Sequence, residues 1–325
     1  ILSCSDSNDA SKTTIEWLYS DDGKSVGAIY KTKWVNDQTL YLMDMRLPKE
    51  DRSILKLDPE SPEKLNPLFD KQKLVDNLMS IVNRDDTTIY LDWPISFNSD
   101  GSYGLYLYED DIFILDITAA EFLRITNTDP KEKSVRFSPD GKKIAFIRDN
   151  DLFTYSLNTK QEKRLTYNGS ETLLNGTLSW VYWEEIFGRQ DIGYWWSDDS
   201  KALAFLQTDE SSVTKMHYVH WKPAEPKLIT QRYPKAGTEN PKVKLGVIEL
   251  NNPKVKWIKL EPFEYLCRVK WLPGNRRLSI QTMNRAQDKL DLYFVDRATG
   301  KNIEKIITET DDGWVNINDD LYFLK

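Results

Sequence analysis

Short runs of alternating apolar and polar residues, interrupted by clusters of Asp, Asn, Gly and Pro, occupy most of the chain. Alternation with period two marks strands that bury one face, and such clusters mark the turns between them. The clearest unit runs from Ser134 to Thr166, where Pro139-Asp-Gly141, Asp149-Asn150 and Asn158-Thr-Lys160 separate four strand-like runs. That spacing predicts four successive antiparallel strands joined by hairpins. Similar turn chemistry recurs at Ser20-Asp-Asp-Gly-Lys24, Ser99-Asp-Gly-Ser102, Ser197-Asp-Asp-Ser-Lys201 and Leu272-Pro-Gly-Asn275. One four-stranded unit cannot cover both of its own faces, so the pattern predicts an all-β fold, a β-propeller of four-stranded blades stacked around an axis.

Two segments interrupt the repeat. Residues 171–191 contain Trp180-Val-Tyr-Trp-Glu-Glu-Ile-Phe187, a run without turn residues that predicts a short helix or a rigid loop. Residues 211–237 hold three prolines, Trp221 and both histidines, and read as an extended arm leaving its blade. Insertions on a rigid scaffold are common places for function.

Composition narrows the chemistry. Among 325 residues, 51 Asp+Glu against 44 Lys+Arg leave a formal charge of −7, which argues against nucleic acid or an anionic membrane as the main partner. The two histidines, His217 and His220, fall in a β-prone run where residues three apart point to opposite faces, so a shared metal ion is not expected, and neither is a cofactor. Cys267 sits in a strand-like run and is expected in the core. Cys4, preceded by Ile1-Leu-Ser3 and followed by a polar stretch, resembles the end of a bacterial lipoprotein signal and its tether. Residues 1–12 are therefore expected to be a disordered tether, whether Cys4 is lipidated or is simply part of an unstructured start. Residues 13–325 are expected to be the propeller.

Gly23-Lys-Ser-Val-Gly27 matches the G-x-S-x-G of a hydrolase nucleophile elbow, but an elbow needs a strand before the serine and a helix after it. Here a hairpin turn is expected, followed by a strand from Ala28, and Ser25 is not expected to be catalytic. Glu184 and Glu185, flanked by Trp180, Tyr182, Trp183 and Phe187, are the sharper signal. Read structurally, Glu185 pairs with Arg189 one helical turn on and Glu184 faces water. Read functionally, the two carboxylates converge on a cation, because neighbouring carboxylates removed from water repel unless a positive charge joins them.

Trp180 to Arg189, Tyr194-Trp-Trp-Ser197, Leu203-Ala-Phe-Leu-Gln207 and the run from Tyr233 to Lys244 resemble, in order and spacing, the N-terminal β-propeller of dipeptidyl peptidase IV, especially its bacterial relatives. The resemblance implies an eight-bladed propeller, partly present here, capping a C-terminal α/β-hydrolase domain that carries the serine triad. It implies release of X-Pro and X-Ala dipeptides from peptide N-termini, with Glu184 and Glu185 gripping the substrate ammonium. Trp183 stands where the family has a further glutamate, and a carbonyl-binding arginine of better-known members has no evident counterpart between Ser99 and Phe122. Because the resemblance assigns the triad to the C-terminal domain, and Ser25 and the two histidines offer no credible nucleophile and base, these residues alone are not expected to hydrolyse peptides. A homodimer formed through the arm and a place in the bacterial periplasm or cell envelope complete the expectation. The alternative is a freestanding propeller that binds a protein or glycan in the envelope.

Overall fold

The computed structural model describes residues 13–37, 39–62, 64–82, 89–301 and 303–323; the expected tether with Cys4 lies outside them. The chain divides into two compact units, one reaching Tyr106 and taking Phe113–Ile125, the other comprising Leu107–Ile112 and everything from Thr126 onward.

Strands group into sheets that follow chain order. Sheet 1 holds Tyr30–Asn36, Thr39–Asp44, Leu55–Leu57 and Leu65–Pro67. Sheet 2 holds Ser96–Phe97, Tyr103–Tyr108, Asp111–Asp116 and Glu121–Arg124. Sheet 3 is the meander expected between Ser134 and Thr166: Lys133–Phe137, Lys143–Arg148, Asp151–Ser156 and Gln161–Arg164. Sheet 4 orders Leu173–Asn175, Ala202–Asp209, Lys242–Glu249 and Asn252–Ile258, with Tyr194–Trp196 as a second partner of Ala202–Asp209. Sheet 5 holds Tyr265–Trp271, Arg277–Met283, Lys289–Asp296 and Glu304–Thr310. Each four-stranded sheet is an antiparallel meander, the all-β, propeller-like arrangement that the turn spacing predicts. The turns carry the chemistry that spacing requires: Asp149 and Asn150 have φ of 49° and 58°, the left-handed pair of a two-residue hairpin.

One recurrence is not a hairpin. Around Ser20 the chain is helical, with Ile15–Tyr19 followed by Asp21–Gly27, because Ser20 caps the second helix by accepting from Gly23 N at 3.1 Å. Serine followed by two aspartates is an N-cap with an acidic first turn, and it opens a helix as readily as it forms a turn. Ser25 therefore lies in a helix that follows another helix, its hydroxyl donating to the Asp22 carbonyl at 2.7 Å; the strand starts only at Tyr30. A third helix, Lys71–Val82, buries Leu74 and Leu78 at i, i+4 spacing.

Sheets 2 and 3 repeat one polar device at a constant interval in sequence. Thr126 Oγ1 and Thr166 Oγ1 accept from Ile112 N at 2.8 Å and Leu152 N at 2.9 Å, and donate to Asp111 at 3.1 Å and Asp151 at 2.5 Å. Asp151 is fully buried and also accepts from Arg164 Nη2 at 2.5 Å, Gly169 N at 3.0 Å and Asn175 Nδ2 at 3.0 Å. Since Asn175 belongs to sheet 4, this carboxylate links two sheets. Tyr194 of sheet 4 makes a second link, its buried hydroxyl donating to the Ala145 carbonyl at 2.8 Å and to that of Ser134. Asp151→Ala leaves a buried donor set unpaired and is expected to reduce unfolding free energy by about 3 kcal/mol or more. The exposed pair Lys131–Asp110 supplies the control, with less than about 0.5 kcal/mol lost in Lys131→Ala. Urea unfolding of both variants checks this; equal losses would refute the linking role of Asp151.

Candidate functional site

Sheet 4 breaks its edge strand to release an insertion. Leu173–Asn175 pairs with residues 207–209 and Tyr194–Trp196 with residues 203–205. Between them Leu206 closes the neck: its carbonyl accepts from Gly176 N at 2.8 Å and its N–H donates to the Gly193 carbonyl at 2.8 Å. Gly193 N donates to the Gly176 carbonyl at 2.9 Å, so the chain leaves and returns at one point. Both glycines are required here. Gly176 has φ of +78° and a Cβ there would lie 2.8 Å from Ile147 Cδ1, while one on Gly193 would lie 2.8 Å from Leu178 Cδ2.

Inside the insertion Tyr182–Ile186 forms a single π-helical turn, closed by Phe187 N donating to the Tyr182 carbonyl at 2.8 Å. This is the short helix that the turn-free run Trp180 to Phe187 allows. Aromatic side chains anchor it. Tyr182 is fully buried, its hydroxyl accepts from Leu266 N of sheet 5 at 3.2 Å, and burial pushes its phenol pKa up. Phe187 packs between Tyr182 and Trp195, with ring centroids 6.3 and 5.9 Å away, and Trp183 rests partly buried on the same core. Trp180 lies 4.5 Å from the ring of Tyr233. Cys267, in the strand beneath, is fully buried and its thiol is pushed up to about 12 by desolvation.

The acidic pair sits on the outer side of this turn. Glu184 is half-buried and its Oε1 accepts from Arg189 Nε at 3.0 Å, with Arg189 Nη2 2.9 Å away. Glu185 is exposed and has no ion-pair partner among the described residues. The structural reading of the sequence is thus reversed, because Arg189 takes Glu184, five residues back, and leaves Glu185 to solvent. The cause is that the helix ends at Ile186: Gly188 and Arg189 turn back with φ of 59° and 65°, and Arg189 N donates to the Trp183 carbonyl at 2.6 Å, so Arg189 does not stand one helical turn beyond Glu185. One guanidinium against two carboxylates leaves a net negative charge, and that guanidinium is itself largely exposed, at 77%.

The arm is a separate two-stranded hairpin, Lys215–His220 with Lys227–Arg232, extending from sheet 4. Both histidines lie on its first strand, as the composition predicts, and His217 Nδ1 is 2.8 Å from Thr230 Oγ1. Tyr218, Trp221 and Leu228 are exposed on it.

Against known families, residues 96–325 match the model of the dipeptidyl peptidase IV N-terminal region. The chain belongs to this family. Relatives include dipeptidyl aminopeptidase B of Saccharomyces cerevisiae, 31% identical over 223 residues, covering 65% of this chain and 26% of that protein. Another is dipeptidyl peptidase 4 of Trichophyton rubrum, 30% identical over 223 residues, covering 64% of this chain and 28% of that protein. Among solved structures, Porphyromonas gingivalis dipeptidyl peptidase 4 superposes with a TM-score of 0.71 at 23% identity, over 89% of this chain and 40% of its own, which shows a shared fold. The chain thus spans about a quarter of the length of the curated dipeptidyl peptidase relatives it matches.

Proposed function

We propose that this chain is the substrate-selecting domain of a dipeptidyl peptidase IV-like serine exopeptidase that releases X-Pro and X-Ala dipeptides. In this reading Glu184 and Glu185 bind the substrate's N-terminal ammonium, and an α/β-hydrolase domain of the same full-length chain carries the triad. The observation that carries it is the pair's setting: adjacent carboxylates on a rigid aromatic-backed turn, with a single guanidinium for compensation. A free α-amino group has a pKa near 8 and presents three donors, so it supplies the missing positive charge. An anchored ammonium leaves no room for further chain, which sets the scissile bond a fixed number of residues away. The names of the relatives in the family support the same activity.

The exposed apolar side chains of the arm support a second copy of this chain as its partner. A place in the bacterial periplasm or cell envelope, lipid-anchored at Cys4, rests on the sequence alone; no described helix is long and apolar enough to cross a membrane.

In the full-length protein Glu185→Ala is expected to lower kcat/KM for Gly-Pro-p-nitroanilide by about tenfold to a hundredfold, since a charge-assisted hydrogen bond contributes about 1.5–3 kcal/mol. Wild-type rates in the variant would refute the ammonium site. The same site makes affinity depend on substrate protonation, so KM is expected to rise as pH passes above about 8, where the ammonium loses its proton. A KM flat across that range would count against it. Deleting residues 215–232 is expected to convert a dimer into a monomer in sedimentation, and a dimer that survives would exclude the arm.

A further inference from the structure

The carboxylate-bearing turn has its N-terminal end fixed by Tyr182 and its C-terminal end fixed by a side chain from another sheet. Arg268, on the edge strand Tyr265–Trp271 of sheet 5, donates from Nη1 to the Ile186 carbonyl at 2.7 Å and to the Cys267 carbonyl at 2.7 Å. Its Nε and Nη2 grip the two oxygens of Asp319, the latter at 2.9 Å, and its guanidinium lies 5.5 Å from the Phe187 ring centroid. The side chain is 23% exposed, so most of this fork is sheltered from water. Asp319 in turn stands in a segment folded back over sheet 5, where Gln281 Nε2 donates to the Asn318 carbonyl at 2.8 Å and Lys270 Nζ to that of Leu321 at 2.5 Å.

We infer that Arg268, oriented by Asp319, is a positioning residue for the Glu184–Glu185 pair: it holds the turn through the Ile186 carbonyl and thereby sets where the carboxylates meet an ammonium. This rests on the ammonium reading above. Ile186 directly follows Glu185, so a shift of its carbonyl shifts both acidic side chains, and misplacement of a binding group by about 1 Å can cost about a hundredfold. Only arginine has the planar donor fork that satisfies a carboxylate bidentately while also reaching backbone carbonyls. Lysine in its place has three donors on a single nitrogen and cannot grip both Asp319 oxygens in parallel while reaching both carbonyls. Asp319 is well suited to orient the fork, because hydrogen bonding from Arg268 holds its carboxyl below the ordinary range and keeps it ionised.

The test compares two substrates of matched shape in the full-length protein, Gly-Pro-p-nitroanilide and acetyl-Pro-p-nitroanilide, which lacks the ammonium. Arg268→Ala is expected to reduce kcat/KM for the first by about tenfold or more, chiefly through KM, and to leave the second within about twofold. Asp319→Asn and Arg268→Lys are expected to give smaller losses confined to the first substrate. Combining Arg268→Ala with Glu185→Ala is expected to cost less than the product of the two single losses, as changes that act through a shared contact are not additive. If Arg268→Ala fails to fold, judged by circular dichroism, the two milder variants decide the matter by the same ratio. Equal losses on both substrates, or wild-type selectivity in Arg268→Lys and Asp319→Asn, would overturn the positioning role. The outcome that instead removes the ammonium site is a Glu185→Ala variant whose selectivity for the free amine is unchanged.

Discussion

Strand Ala202–Asp209 is buried from its first residue to Thr208, and a strand buried on both faces needs a second sheet over each. The side chains divide by parity. Ala202, Ala204 and Leu206 join Leu245 and Val247 against Leu266, Val269, Leu278 and Ile280 of sheet 5, while Leu203 and Phe205 face Ala145, Ile147 and Leu152 of sheet 3. Sheet 4 is therefore stable only between its neighbours, which is the reason a propeller-like array is built from repeated meanders. Other features of the second unit, including the neck and the acidic turn, depend on this enforced stacking.

The setting of the acidic pair follows from that stacking. Because sheet 5 must cover one face of sheet 4, its edge strand runs beside the insertion and can offer Leu266 N and Arg268 to the turn. An isolated five-residue turn carrying two adjacent carboxylates would not hold its shape, since nucleating a turn is unfavourable and like charges repel. Tyr182 and Ile186, both buried, commit the turn to the core, and Glu184 and Glu185 are left at its outer side by that choice. Rigidity and acidity thus come from different residues of one short run.

Polar groups in the interior are satisfied across sheets as well as within them. Asp151 draws on Thr166, Arg164, Gly169 and Asn175, and Tyr194 reaches two carbonyls of sheet 3. A buried carboxylate with this many donors adds specificity to a contact whose hydrophobic part would tolerate sliding, because a slipped register would strand the charge.

Much of this was legible in the chain itself. Alternation and turn residues determined the meanders of sheets 2, 3 and 5, because hairpin formation is local and Pro139-Asp-Gly141 or Asp149-Asn150 allows few other conformations. The apolar character of the acidic run likewise marked it as an element docked on a core. The helix capped by Ser20 was ambiguous locally, since Ser-Asp-Asp begins helices and turns alike. The helix Lys71–Val82 was not anticipated by the all-β reading, although Leu74 and Leu78 at i, i+4 spacing carried its signal. Other features were decided only in three dimensions: that the turn is π-helical, that Arg189 answers Glu184 rather than Glu185, and that Arg268 and Asp319 support a turn more than eighty residues earlier. Local patterns follow from backbone sterics and side-chain periodicity, which neighbours in sequence determine, whereas these contacts exist because sheet stacking brings distant residues within hydrogen-bond reach.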